Sequence, residues 1–328
     1  MRRKNVSNIG LRKWANYECR SPKNNLRRKN VSNSKNVSII GVGLIGGSLG
    51  KALKKRGAVW GGRIKITGVG RHPDKLRFAK RTGAIDGWTT DFAEGVRDAD
   101  IVVLCVPVDR IVEIAKRILP HVKRSCVITD AGSVKGAIIR QVEKMPSLSG
   151  VFVGSHPIAG SEKTGVSFAD AGLFNGATVV ITPTRRVNGK SLKEIAGMWK
   201  AAGAKTLIMP AAMHDRYLAL TSHLPHILSG ALVNLVWNLY NKNKDAGRLL
   251  AGSFRDLTRV SDSDPALWSA ICRLNAKEVF GAVAGYIRIL KKIQQHRSMK
   301  ELNRFFSFAK NKRCQLLVSG QKKRLKQP

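Results

Sequence analysis

Val37-Ser38-Ile39-Ile40-Gly41-Val42-Gly43-Leu44-Ile45-Gly46-Gly47-Ser48 is the stretch from which the fold can be read. Its first four residues form a short run rich in β-branched side chains, expected to be a buried strand. The glycines that follow are spaced G-x-G-x-x-G, and residues 48–56 carry a helical pattern. By itself that spacing is a weak signal. Here a strand precedes it, a helix follows it, and a second strand over Ile64–Val69 comes where a βαβ unit requires one. Gly41 allows the tight turn, and Gly43 lets the backbone approach a pyrophosphate. Gly46 lets helix and strand pack closely, and the phosphate rests on the helix amino end at Leu44 and Ile45. The prediction is an α/β fold opening with a Rossmann-type dinucleotide-binding domain.

The end of the second strand bears on the cofactor. NAD-binding folds usually place Asp or Glu there to hold the ribose 2′-hydroxyl. This chain has Gly70-Arg71-His72. An acid would repel a 2′-phosphate, whereas Arg71 could pair with it through two N–H groups. NADP, or NAD with tolerance of NADP, is the expected cofactor.

Working outward, residues 99–107 form a strand closed by Val106-Pro107, which completes the cofactor side, and residues 127–130 form another. Residues 151–153 form a third, expected to stop at Pro157 so that His156 points out of the sheet's carboxyl edge. Open α/β sheets bind their ligands at that edge. Residues 178–182 and 206–209 add two strands around a helix over 191–202. Three loops, 41–46, 131–135 and 155–165, are therefore expected to meet at one crevice.

After Pro210 the strand signal stops. Residues 211–240 form one long helical pattern with Leu220, Leu224, Ile227, Leu228, Ala231, Leu235 and Leu239 on its apolar face. A second helix begins at Ser261-Asp262-Ser263-Asp264-Pro265, where cap-type residues and a proline mark a start. Its stripe runs from Leu267 and Trp268 to Ile287 and Leu290. Two wide apolar faces need a partner surface, so an all-α substrate domain that also forms a homodimer is expected. The predicted organisation is a basic extension over 1–36, a nucleotide-binding domain over 37–210, a helical domain over 211–297 and a basic tail over 298–328.

The 328 residues leave room for two domains with ample cores. The formal charge of +38 is concentrated at the ends: eleven bases face one acid, Glu18, in residues 1–36, and thirteen face Glu301 in residues 288–328. The first of these segments repeats Arg-Arg-Lys-Asn-Val-Ser-Asn at 2–8 and 27–33. It reads as a basic tail, a transit-type segment or an extension ahead of the true start. Basic ends imply nonspecific affinity for polyanions. The aromatic interleaving of a nucleic-acid stacking platform is missing, so no specific nucleic-acid partner is expected. No apolar run is long enough to span a bilayer. The five cysteines are scattered without a C-x-x-C pair, which suits a reducing, cytoplasmic setting and offers no zinc site.

A nicotinamide cofactor implies hydride transfer. His156 is the candidate base, because an imidazole titrates near neutrality. Ser133 on the neighbouring loop is expected to hydrogen-bond one of its ring nitrogens. His223 and His226, three residues apart, share a helix face, and Pro225 between them should kink the helix. They lack the i, i+4 spacing and companion carboxylate of a helical metal pair, so no metal is expected. Arg259 could bind a substrate carboxylate bidentately, with Glu162 or Asp256 as its partner when substrate is absent.

Six motifs, in order, resemble the prephenate dehydrogenase family. They are I-I-G-V-G-L-I-G-G-S at 39–48, D-A-G-S-V-K at 130–135, S-H-P-I-A-G-S-E-K-T-G at 155–165, T-S-H-L-P-H at 221–226, F-R-D-L-T-R at 254–259 and S-D-P-A-L-W at 263–268. The resemblance covers residues 37 to about 293. It implies oxidative decarboxylation of prephenate to 4-hydroxyphenylpyruvate with hydride transfer to NAD or NADP, in tyrosine biosynthesis. It implies His156 as acceptor of the hydroxyl proton's hydrogen bond, oriented by Ser133. Arg259 would then be the carboxylate clamp gated by Glu162, and His223, His226 and Trp268 would line the substrate or tyrosine pocket. Two departures stand out: the acid after the second strand is missing, and Arg255 stands where a lysine is expected. The neighbouring reading is arogenate dehydrogenase, the same chemistry on the transaminated substrate. A basic nucleic-acid-binding protein is the alternative of another class.

Overall fold

The structure, a computed structural model, describes residues 34–325 except 58, 59, 61 and 162. The repeat-bearing extension lies almost wholly outside the described residues.

Eight strands form one sheet: β1 (Lys35–Ile40), β2 (Ile64–Val69), β3 (Gly87–Thr89), β4 (Ile101–Leu104), β5 (Val127–Asp130), β6 (Phe152–Pro157), β7 (Thr178–Pro183) and β8 (Lys205–Ile208). Their order is β3-β2-β1-β4-β5-β6-β7-β8. The first six are parallel, in the order of a dinucleotide-binding sheet. At β7 the direction reverses, and β8 follows β7 in parallel.

Among the described residues, seven helices accompany these strands: α1 (Leu44–Arg56), α2 (Pro73–Arg81), α3 (Phe92–Val96), α4 (Ile111–Ile118), α5 (Gly136–Glu143), α6 (Pro146–Val151) and α7 (Gly189–Ala201). Strand side chains alternate between two apolar layers, as period-2 geometry dictates. Val37, Ile39, Ile101 and Val103 pack with Leu49, Leu53, Leu76 and Trp199. Ile40, Val102 and Leu104 pack with Val96, Ile111, Ala115, Ile138 and Val142. Each such aliphatic side chain stabilises the fold by about 1.5–3 kcal/mol on burial.

Six further helices follow: α8 (Ala211–Leu218), α9 (Leu224–Lys242), α10 (Gly252–Thr258), α11 (Pro265–Leu274), α12 (Ala276–Gln295) and α13 (Met299–Leu325). Contacts divide the chain into two units, and the division differs from a boundary at residue 210. The first unit takes residues up to Tyr217 together with Arg259–Asn275, and the second takes Leu218–Thr258 and everything from Ala276 on. The reason lies in α11: Ile271 is buried in the second apolar layer of the sheet, with Trp268, Ala270 and Leu274 packed against it. Asp264 caps α11 by accepting the Ala266 N–H at 2.8 Å. The helix expected to run on from there breaks at Asn275, which closes α11 onto Ile271 at 3.0 Å and donates its side-chain amide to the Asp215 carbonyl at 3.0 Å.

In the second unit, the long helical pattern is interrupted by a π turn over Ala219–His223. The Leu224 N–H reaches back five residues to the Ala219 carbonyl. Pro225 has no N–H to offer the preceding turn, and the wider turn is how the backbone accommodates it. The basic stretch beyond residue 298 is helix α13. Among the described residues no helix is long and apolar enough to cross a membrane.

Candidate active site

The glycine turn between β1 and α1 has the expected geometry. Gly41 has φ +91°, and a Cβ there would lie 2.3 Å from the Cys105 carbonyl oxygen. Gly46 is equally confined, 2.4 Å from the Gly41 oxygen. Gly43 is the opposite: a Cβ there would meet nothing within 4 Å. As N-cap of α1 it brings no side-chain hydrogen bond, so no cap side chain occupies the helix start at Leu44 and Ile45. An open backbone at an uncapped helix start suits a pyrophosphate. Val106 Cγ1 flanks the turn, 3.2 Å from a Cβ built on Gly41. Pro107 is exposed just beyond β4, and Arg71 is exposed just beyond β2.

The next loop at this sheet edge is a strap from β5 to α5, pinned by a buried ion pair. Asp130 closes β5 with no exposure. Its Oδ1 accepts the Ser155 N–H at 3.1 Å and its Oδ2 the Gly132 N–H at 2.9 Å. Lys135, also fully buried, pairs its ammonium with Oδ2. Burial pulls the Lys135 pKa below its ordinary value, and Asp130 opposes that shift. Ser133 sits half-buried on this strap.

β6 carries His156, and here the structure corrects the expectation that Pro157 ends the strand. β6 runs through Pro157, with His156 opposite Val180 and Pro157 opposite Val179 on antiparallel β7. The Ile158 N–H still bonds Thr178, so by alternation the missing Pro157 N–H would have faced β5. The β5 pairing has already ended at Val153. The proline therefore removes no ladder bond.

The partner found for the half-buried His156 is also different. Its Nδ1 lies 2.8 Å from Nε2 of His214 on α8, the rings meeting edge to face at 5.1 Å. No hydroxyl of Ser133 holds it. His214 is fully buried, and its Nδ1 lies 2.8 Å from Oδ1 of Asp215. Asp215 in turn accepts the backbone N–H groups of Lys135 and Gly136, both at 2.8 Å, and so caps α5 from a distant helix. Below β6, Ser155 Oγ accepts the indole N–H of buried Trp199 at 3.0 Å. Neither His214 nor Asp215 stands out by motif. The available signal was an adjacent His-Asp pair in the first turns of the helix that follows Pro210.

The remaining candidates fall in both units. Arg259, exposed at the start of a 3-10 turn, and half-buried Trp268 belong to the first unit with His156 and Ser133. His223, His226 and Asp256 belong to the second. His223 is buried in the π turn and Asp256 is exposed on α10. His226 Nδ1 lies 3.1 Å from the Ser222 carbonyl, so it is the protonated nitrogen, and burial pulls its pKa below the ordinary value. Glu162 lies outside the described residues.

The family described as prephenate dehydrogenase, nucleotide-binding domain, matches residues 49–208, and its dimerization domain matches residues 210–311. A cyclohexadienyl dehydrogenase of Zymomonas mobilis is 36% identical over 79% of this chain and 87% of its own. A prephenate dehydrogenase of Bacillus subtilis is 30% identical over 84% of this chain and 75% of its own. The crystal structure of prephenate dehydrogenase from A. aeolicus in complex with hydroxyphenyl propionate and NAD+ superposes with a TM-score of 0.74 at 33% identity, covering 90% of this chain and 99% of that one.

Proposed function

This chain belongs to the prephenate dehydrogenase family, and from that premise we propose that it converts prephenate to 4-hydroxyphenylpyruvate and carbon dioxide, serving tyrosine biosynthesis. A nicotinamide dinucleotide, when bound, would supply the hydride acceptor. The observation that supports this reading most is the position of His156. It stands near the carboxyl end of β6, the same sheet edge as the glycine turn of β1.

In this reading His156 accepts a hydrogen bond from the substrate hydroxyl as its carbon gives up hydride, lowering the cost of the oxygen's developing positive charge. The ring carboxylate then leaves as carbon dioxide, and its bonding pair makes the ring aromatic. The proton returns to the phenol oxygen, so none is released overall. The base has to hold and position a proton rather than consume one. Arg259 is the proposed carboxylate clamp, with Glu162 or Asp256 as its resting partner, and Ser133, His223, His226 and Trp268 are proposed to shape the pocket. Gly41, Gly43, Leu44, Ile45, Gly46, Val106 and Pro107 are proposed to cradle the dinucleotide. Arg71 supports use of NADP as well as NAD.

The second unit is proposed to form a homodimer. Leu235, Trp237 and Leu239 on α9 and Phe280 and Ile287 on α12 leave large apolar area exposed within it. The expected setting is the cytoplasm. The deciding experiment is a cofactor-by-substrate matrix with NAD or NADP against prephenate or arogenate, with mass measured by light scattering. Turnover of prephenate is the expected result. Turnover of arogenate alone would move the protein to the neighbouring activity, and turnover of neither would overturn the reading.

A further inference from the structure

We propose that His214 and Asp215 are positioning residues that fix which nitrogen of His156 acts as the base and share the proton it takes up. The inference rests on the role proposed above for His156. The Asp215 carboxylate can only accept, and its Oδ1 already accepts the Lys135 N–H. His214 Nδ1, 2.8 Å from the same oxygen, must therefore be the donor. With its proton on Nδ1, neutral His214 presents a lone pair at Nε2. The 2.8 Å contact with His156 then requires His156 to donate from Nδ1. Its lone pair is left on Nε2, which becomes the base.

The series continues into the backbone. Asp215 is held by two N–H groups at the start of α5, and its own carbonyl accepts from Asn275. His214 has no exposure, so water does not compete for its ring. Asp215 and His214 are thereby held in place, and His214 offers its acceptor to Nδ1 of His156. The logic is that of an Asp-His pair orienting a catalytic imidazole, with a second imidazole inserted between them.

The proton balance closes. As Nε2 of His156 takes the hydroxyl proton, the Nδ1 proton shifts toward Nε2 of His214, and the positive charge spreads toward the Asp215 carboxylate. When the ring becomes aromatic, both protons move back and the phenol oxygen regains its own. No oxidant or external acid enters this shuttle.

Two conservative variants separate positioning from bulk structure. The amide of His214→Gln can reach the place of Nε2 and accept from His156. The amide of His214→Asn sits near the place of Nδ1, keeping Asp215 satisfied but withdrawing from His156. Long-range proton–nitrogen NMR on the substrate-free protein reads the His156 tautomer directly. Wild type and His214→Gln are expected to show the Nδ1–H form, and His214→Asn a mixture. With prephenate, kcat should fall about three- to tenfold in His214→Gln and about a hundredfold in His214→Asn, with KM within about threefold in both. Equal kcat in the two variants, or one tautomer common to all three proteins, would overturn the proposal. If neither variant folds, a wild-type His156 carrying its proton on Nε2 overturns it alone. The tautomer reading needs no substrate. Absence of prephenate turnover in wild type would defeat the functional reading while leaving this test in force.

Discussion

Lys135 and Asp130, five residues apart, form an ion pair from which solvent is wholly excluded, and the pair ties a strap at the ligand edge back to the end of β5. A single buried charge left without its partner is costly. Lys135→Ala should therefore destabilise the protein by about 3–5 kcal/mol in denaturant titration. A loss below about 1 kcal/mol would mean that another cation or water reaches Asp130.

His156→Asn should lower kcat by about two to four powers of ten with prephenate, while KM changes little. Asparagine keeps a polar group near Nδ1 but has no lone pair where Nε2 stood. Near-normal turnover would remove His156 from the chemistry.

The two kinds of glycine in the turn should separate fold from cofactor. Gly41→Ala places a methyl against the Cys105 carbonyl at a positive φ, and should cost about 1–3 kcal/mol of stability. Gly43→Ala has open space, so the fold should tolerate it. A methyl there stands where the pyrophosphate must approach, and the dissociation constant for NAD, measured by fluorescence quenching, should rise at least about tenfold. Unchanged affinity in Gly43→Ala would remove that residue from the cradle.

Arg71→Ala tests the cofactor preference. A charge-assisted hydrogen bond to a 2′-phosphate is worth about 1.5–3 kcal/mol. Catalytic efficiency with NADP should fall at least about tenfold while that with NAD stays within about twofold. Equal effects on both cofactors would show that Arg71 does not read the phosphate.

The α/β region was legible because its signals are local. The glycine spacing at 41–46 needs only a strand before it and a helix after it, and the apolar runs of β4 and β5 have no other use. β3 escaped notice because Gly87-Trp88-Thr89 is too short to show a period. The continuation of β6 through Pro157 could not be read, since whether a missing N–H matters depends on which neighbour it faces. The partner of His156 was hidden for a related reason. Ser133 lies in a conspicuous motif, whereas His214 is 58 residues from His156 and meets it only because α8 packs inward. The break at Asn275 was not legible either: the apolar stripe continues past it, and its side-chain amide bonds a carbonyl 60 residues away in sequence, at Asp215.

The cap that Asp215 places on α5 bears on how freely such a chain can be cut and recombined. Lys135, which occupies the local cap position, brings no side-chain hydrogen bond to the helix start. The sheet's own segment thus lacks a terminator for one of its helices and borrows it from beyond residue 210, along with the α11 side chains that seal its second apolar layer. A nucleotide-binding cassette excised at that point would carry bare helix-end amides and an exposed apolar face. Swapping cassettes between relatives would have to carry 211–217 and 259–275 along with the sheet. The heritable piece is therefore a discontinuous one, the whole first unit rather than the segment up to residue 210.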